Sequence, residues 1–275
     1  FDTVYLHGLI RNDEGKKISK SLPDAWRYDP LYIIDEYGAD ALRFSLLTGS
    51  TPGNDTRLAL SRVEANRNFC NKIWQAARFV LGNLPAGPGA FTPPADAMAP
   101  AEGADAADRW ILSRYHRLVG EVQRLMDACQ LGEAGRQIYD FLWGEYCDWY
   151  IEMSKVRLKG GDTVQADSAR RVLVYVLEGC LRLLHPYMPF VTEAIWQYLP
   201  HRGEALIVAP WPSGGFVDQD AEARMNELME LVRSIRNARS EYDVEPGRPI
   251  AAIIAAGANA AFLREQAQAL VALAR

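Results

Sequence analysis

From residue 61 to about residue 200, apolar side chains recur every three or four positions, the spacing of amphipathic helices. The pattern predicts helices over 61–84, 107–129, 131–159, 166–185 and 187–199. Pro186 and Pro189 punctuate the last two, since proline lacks the N–H that continues a helix. Ahead of this run, Val4 and Leu6 alternate with Thr3 and Tyr5, so residues 1 to about 10 are predicted as a strand. Asp29-Pro30 opens a short helix over 31–37, which Gly38 closes. A second covers 39–47, with Asp40 placed early, where a negative charge favours the helix start.

Thr51-Pro52-Gly53-Asn54-Asp55 breaks the rhythm and is predicted to be a hinge between domains. Residues 85–104, rich in Pro, Ala and Gly, are predicted as a linker or surface loop. Residues 204–211 form an extended tail across the helices. A helix over 218–240, a turn at Pro246-Gly247, a strand over 249–255 and a helix from about 258 complete the pattern. The expected domains are 1–50, 51–215 and 216–275. The fold class is mainly α, a helix bundle with a small mixed segment after it. Both ends read as cuts within a longer protein.

Composition narrows this. A chain of 275 residues has room for two domains and a sizeable core. Its apolar stretches are too short to span a bilayer. Cys70, Cys129, Cys147 and Cys180 form no CxxC pair, which argues against a zinc site or disulfide framework and for a reducing cytoplasm. The net charge of −5 does not advertise nucleic-acid binding. Locally the balance reverses: residues 57–82 carry Arg57, Arg62, Arg67, Lys72 and Arg78 against Glu64 alone.

Two features carry candidate chemistry. The run Lys17-Ile18-Ser19-Lys20-Ser21, just after Gly15, suits a mobile loop closing over a polyphosphate, although a solvated surface loop has the same composition. On the 61–84 helix, Val63, Cys70, Ile73, Ala77, Val80 and Leu84 share a core face. Arg67, Asn71, Trp74 and Arg78 form a second stripe, and Asn68, Lys72, Gln75 and Phe79 a third. Rings, amides and cations together are what single-stranded RNA needs, for stacking, edge reading and phosphate binding. Burial of Trp74 and Phe79 by neighbouring helices is the competing account.

The aromatic stretch 139–150 reads as bundle core, because Ile138, Leu142, Tyr146, Trp149 and Met153 recur at helical spacing. His7, His116, His185 and His201 are isolated and have no metal-ligand spacing; His185 is expected to be a packed helix-end residue.

Taken in order, these segments resemble the class I aminoacyl-tRNA synthetases of the isoleucine/leucine/valine group. Thr3-Val4-Tyr5-Leu6-His7-Gly8 and Gly15 to Ser21 match the last catalytic strand and the Lys-Met-Ser-Lys-Ser signature loop, with Ile18 in place of methionine. Tyr37-Gly38-Ala39-Asp40-Ala41-Leu42-Arg43 resembles the helical segment that follows. Arg67 to Trp74, Cys147-Asp148-Trp149-Tyr150, Leu184 to Phe190 and Ile207 to Pro212 resemble the anticodon-binding bundle and its exit. The Asn-Lys-Ile-Trp and Cys-Asp-Trp-Tyr elements favour the valine branch. Pro23-Asp24 stands where the family has Gly-Asn, and Ala25 to Tyr28 are extra, implying a stiffer loop exit.

The resemblance implies an anticodon-binding bundle flanked by the C-terminal edge of a Rossmann-like catalytic domain and a truncated α+β segment. It implies ATP-dependent ligation of valine to tRNA(Val) by the whole protein. Lys17 and Lys20 would stabilise pyrophosphate charge, Ser19 and Ser21 would join them in ATP binding, and Mg²⁺ would accompany ATP without a protein metal site. Arg67, Asn71, Lys72, Arg78 and Phe79, with Arg62 and Trp74 beside them, would contact the anticodon. The fragment would be a monomer without membrane attachment, and alone it would neither activate valine nor edit mischarged threonine. An isoleucine or leucine relative, or a non-enzymatic helical interaction module, would share many of these features.

Overall fold

A computed structural model describes residues 4–19, 23–87, 89–95, 98–102, 104–245 and 247–274. Near its start, β1 (Ile10–Arg11) pairs in parallel with β2 (Thr56–Arg57), Ile10 opposite Thr56. The strand expected over residues 1–10 is therefore shorter and later, and residues 1–3 lie outside the described set. Between these strands run α1 (Pro30–Tyr37) and α2 (Ala39–Thr48). Asp29 caps α1 by accepting from the Leu31 N–H at 2.8 Å, and Gly38 closes it at φ 90°, a conformation glycine adopts freely. The extra residues Ala25–Tyr28 form a 3-10 turn. Tyr28 joins Ile33, Ala41, Leu42, Leu58, Leu60 and Val63 in a small core against which Ile18 packs.

The main body is a helix bundle: α3 (Leu60–Gly82), α4 (Ala106–Asp127), α5 (Leu131–Asp140), α6 (Ile151–Lys159), α7 (Thr163–Leu184) and α8 (Pro189–Trp196). α5 runs into α6 through a π-helical stretch, Phe141–Tyr150, within the single helix expected over 131–159. Ile138, Leu142, Tyr146, Trp149 and Met153 are all buried, as the periodicity predicts. The bundle centre is aromatic, with Trp110, Tyr115, Tyr146, Tyr150 and Trp196 almost fully enclosed. A Cβ on Gly179 of α7 would lie 1.8 Å from the Tyr115 hydroxyl, so α4 and α7 meet only because that position is glycine. Gly132 does the same for α5 against the end of α2, where a Cβ would lie 2.6 Å from the Ser50 carbonyl.

After the bundle, α9 (Gln219–Glu241) packs along α4, followed by α10 (Ala260–Glu265) and α11 (Ala267–Leu273). In the tail over 204–211, a 3-10 turn (Leu206–Val208) buries Leu206 and leaves Ile207 and Val208 exposed. The strand expected over 249–255 is not formed, and no described strand lies beside it. An apolar run needs a paired neighbour before its N–H and C=O groups become a ladder. Among the described residues, no helix is long and apolar enough to cross a membrane.

Candidate nucleic-acid interface

α3 begins directly after β2 and buries Leu60, Val63, Asn66, Phe69, Ile73, Ala76, Ala77 and Val80. The expected core face is rotated slightly: Cys70 and Leu84 are half-buried, and Phe69 points inward instead. The cause is aromatic packing. The Phe69 ring lies 4.5 Å from that of Tyr139 and 5.7 Å from that of Phe44, centroid to centroid, where one large ring fills more of the interior than a thiol. Burial pushes the Cys70 thiol up to about 12, so it is not a reactive thiolate.

The opposite face of α3 is open. Asn71 and Arg78 are exposed, and Trp74 is 39% exposed between them. Spacings of three and four place the three side chains on one stripe. Arg78 makes no ion pair among the described residues; its Nη1 donates to Gln75 Oε1 at 3.2 Å. Arg62 is exposed one end along the helix, beside Gly49 at the end of α2.

The other expected contacts are engaged within the protein. Arg67 is half-buried, 3.1 Å from Glu64 and 5.7 Å from the Tyr37 ring centroid. Lys72 Nζ lies 2.6 Å from Asp148 and 3.8 Å from the Trp143 ring centroid. Phe79 is half-buried against the bundle core, with Lys155 Nζ 5.6 Å from its ring. Trp143, Asp148 and Lys155 thus border the stripe from the π-helical stretch and α6. Helical periodicity on α3 alone could not reveal them.

Toward the N-terminus, residues 12–16 make a tight turn. Asn12 N–H donates to the Lys16 carbonyl at 2.9 Å, and its buried side chain accepts from Lys16 N–H at 2.7 Å. The turn lays Lys17 antiparallel to Arg11, with the Lys17 side chain exposed. Ser19 is half-buried, and Lys20 and Ser21 lie outside the described residues. Among the described residues, no group of three or more His, Cys, Asp or Glu side chains could hold a metal ion.

A family model described as the anticodon-binding domain of tRNA ligase matches residues 108–254, just over half of the chain. The chain belongs to that family. A second model, tRNA synthetases class I (I, L, M and V), matches residues 1–59, the stretch holding β1, the Lys17 loop and β2. α3 falls between the two matches, and is covered by relatives that span the chain. The valine–tRNA ligase of Dehalococcoides mccartyi (strain CBDB1) is 50% identical over 283 residues, covering 100% of this chain and 31% of its own. That of Geobacillus stearothermophilus is 45% identical over 256 residues, covering 92% and 28%. The chain therefore spans less than a third of the length of these relatives.

Solved structures share the fold. Agrobacterium radiobacter K84 agnB2 LeuRS, in a ternary complex with tRNA and LeuAMS, superposes with a TM-score of 0.55 at 22% identity, covering 78% of this chain and 24% of its own. Free-state methionyl-tRNA synthetase of Mycobacterium tuberculosis gives 0.50 at 21% identity, covering 76% and 42%.

Proposed function

We propose that this chain is the tRNA-handling portion of a valine–tRNA ligase, and that the exposed stripe of α3 receives unpaired nucleotides of the tRNA(Val) anticodon. The observation that carries this is Trp74, an indole left open to solvent between an amide (Asn71) and a guanidinium (Arg78) on one helix face. Indole stacks on a splayed base, the amide reads its edge and the guanidinium holds phosphate. Arg62 extends the cationic edge, while Arg67, Lys72 and Phe79 frame the stripe. Valine–tRNA ligases at 45–50% identity support the amino-acid assignment.

In the whole ligase, ATP and valine would be the small substrates. Lys17 and Lys20, with Ser19 and Ser21, would bind ATP phosphates and offset charge developing on pyrophosphate. Mg²⁺ would arrive with ATP, held by the phosphate oxygens. Functionally we assign 1–50 to the catalytic edge, 51–215 to the anticodon-binding bundle and 216–275 to a further segment. A cytoplasmic monomer is the setting proposed, and the four thiols, all unpaired, accord with a reducing compartment.

The test is a titration of the chain with tRNA(Val) and with the same transcript carrying a swapped anticodon. The cognate transcript is expected to bind more tightly, with affinity falling steeply as salt rises. Equal affinities for both transcripts would contradict anticodon recognition. Salt-independent binding of a protein instead would mark a docking module.

A further inference from the structure

Asp40, in the first turn of α2, does not serve its own helix. Its carboxylate is buried and reaches across 150 residues of sequence to α8, accepting from the N–H groups of Phe190 at 3.2 Å and Val191 at 2.6 Å. These are two of the donors that a helix start leaves unpaired, and Met188, at the cap position, supplies no side-chain bond. Three residues on, Arg43 binds the same turn from its other side. Its Nη2 donates to the Pro186 carbonyl at 3.0 Å and its Nε to the Tyr187 carbonyl at 3.3 Å. One stretch of α2 thus holds both the donors and the acceptors of the α7–α8 connection. That connection is itself fixed to α5, because the Tyr187 hydroxyl donates to the Leu131 carbonyl at 2.7 Å.

The other side of α2 helps to build the small core beside Ile18. Ala41 and Leu42, lying between Asp40 and Arg43, belong to the small core against which Ile18 packs. A continuous set of contacts therefore runs from the loop through α2 to the bundle.

We propose that Asp40 and Arg43 are positioning residues that hold the catalytic edge, at the small core beside Ile18, in register with RNA seated on the bundle. The inference rests on the ligase function proposed above. Transfer to tRNA requires the two halves to present one substrate to the other, and displacements near 1 Å can cost about a hundredfold in rate. Activation of valine needs no such register.

The experiment uses the full-length ligase as wild type, Asp40→Asn, Arg43→Gln and the double variant. Valine-dependent ATP–pyrophosphate exchange reads activation, and aminoacylation kcat and KM read transfer. Each single variant is expected to lower the charging kcat about tenfold, with exchange and the KM for tRNA within about twofold of wild type. The double variant should be little worse than the worse single one, because both side chains grip one turn. Thermal melting accompanies each protein. If Asp40→Asn unfolds, Arg43→Gln, whose guanidinium is partly exposed, carries the same comparison. Unchanged charging, parallel loss of exchange and charging, or multiplying single effects would overturn the inference. A wild-type ligase that charges no tRNA(Val) would overturn the underlying function, a distinct outcome, and the inference with it.

Discussion

The Lys72 ammonium lies 3.8 Å from the centroid of the Trp143 ring. The Tyr139 ring stacks near that same indole at 5.7 Å, and Asp148 holds the ammonium at 2.6 Å. Lys72 is therefore a clasp between α3 and the π-helical stretch before it is a phosphate ligand. Replacing it with methionine keeps the apolar stem and removes the charge. The Lys72→Met chain should lose on the order of 1 kcal/mol in urea unfolding, from the cation–π contact and a partly exposed ion pair. Its salt slope for tRNA binding should stay unchanged, whereas Arg78→Ala should reduce the slope by about one.

Phe79 is held differently from Trp74. It is half-buried against the bundle core, with Lys155 Nζ 5.6 Å from its ring centroid. Phe79→Ala should cost roughly 2 kcal/mol of folding stability, below the range for a fully buried phenylalanine. Its effect on tRNA affinity should be smaller than that of Trp74→Ala. Parallel titrations and urea curves give both numbers.

Asp108 is fully buried and accepts from Tyr150 Oη at 2.6 Å, Ser168 Oγ at 2.6 Å and Arg157 Nη2 at 2.7 Å. It joins α4, the π-helical stretch, α6 and α7 at one point. Among the described residues, Arg157 Nε and Nη1 are buried without hydrogen-bond partners, so Asp108 carries much of the compensation of that charge. Asp108→Ala should destabilise the chain by about 3–5 kcal/mol, read as a shift of the urea midpoint at unchanged slope.

His116 lies between the Phe216 carbonyl, 2.9 Å from Nδ1, and the Tyr175 hydroxyl, 2.9 Å from Nε2. A neutral imidazole can donate to the first and accept from the second. Burial pushes its pKa below the ordinary value, with the Phe216 bond opposing. A depressed folded-state pKa means stability that is present above the unfolded value of about 6.5 and lost as pH falls through the folded value. Thermal melts from pH 7.5 to 5.5 should show this loss, and His116→Asn should show a smaller one. Burial also lowers His185, so part of the slope should persist in the variant.

Much of this architecture was legible because it is local. Helical spacing located α3 through α8, and the Asp29 cap with Gly38 marked α1 at both ends. The exposed stripe of Asn71, Trp74 and Arg78 followed from the same spacing. What the sequence hid depends on partners far along the chain. Asp40 reads as an ordinary helix-start anion until α8 is folded against it. Phe69 points inward and leaves Cys70 half-buried because Phe44 and Tyr139 await its ring. The apolar run over 249–255 reads as a strand, but a strand exists only beside another.

The central claim is that an open indole on α3 stacks a base of the anticodon, and Trp74→Ala tests it most directly. Titrated with tRNA(Val), the variant should bind more weakly by roughly 1–3 kcal/mol and lose much of its preference over the swapped anticodon, with its melting temperature nearly unchanged. An affinity and a preference equal to those of the unaltered chain would contradict the account.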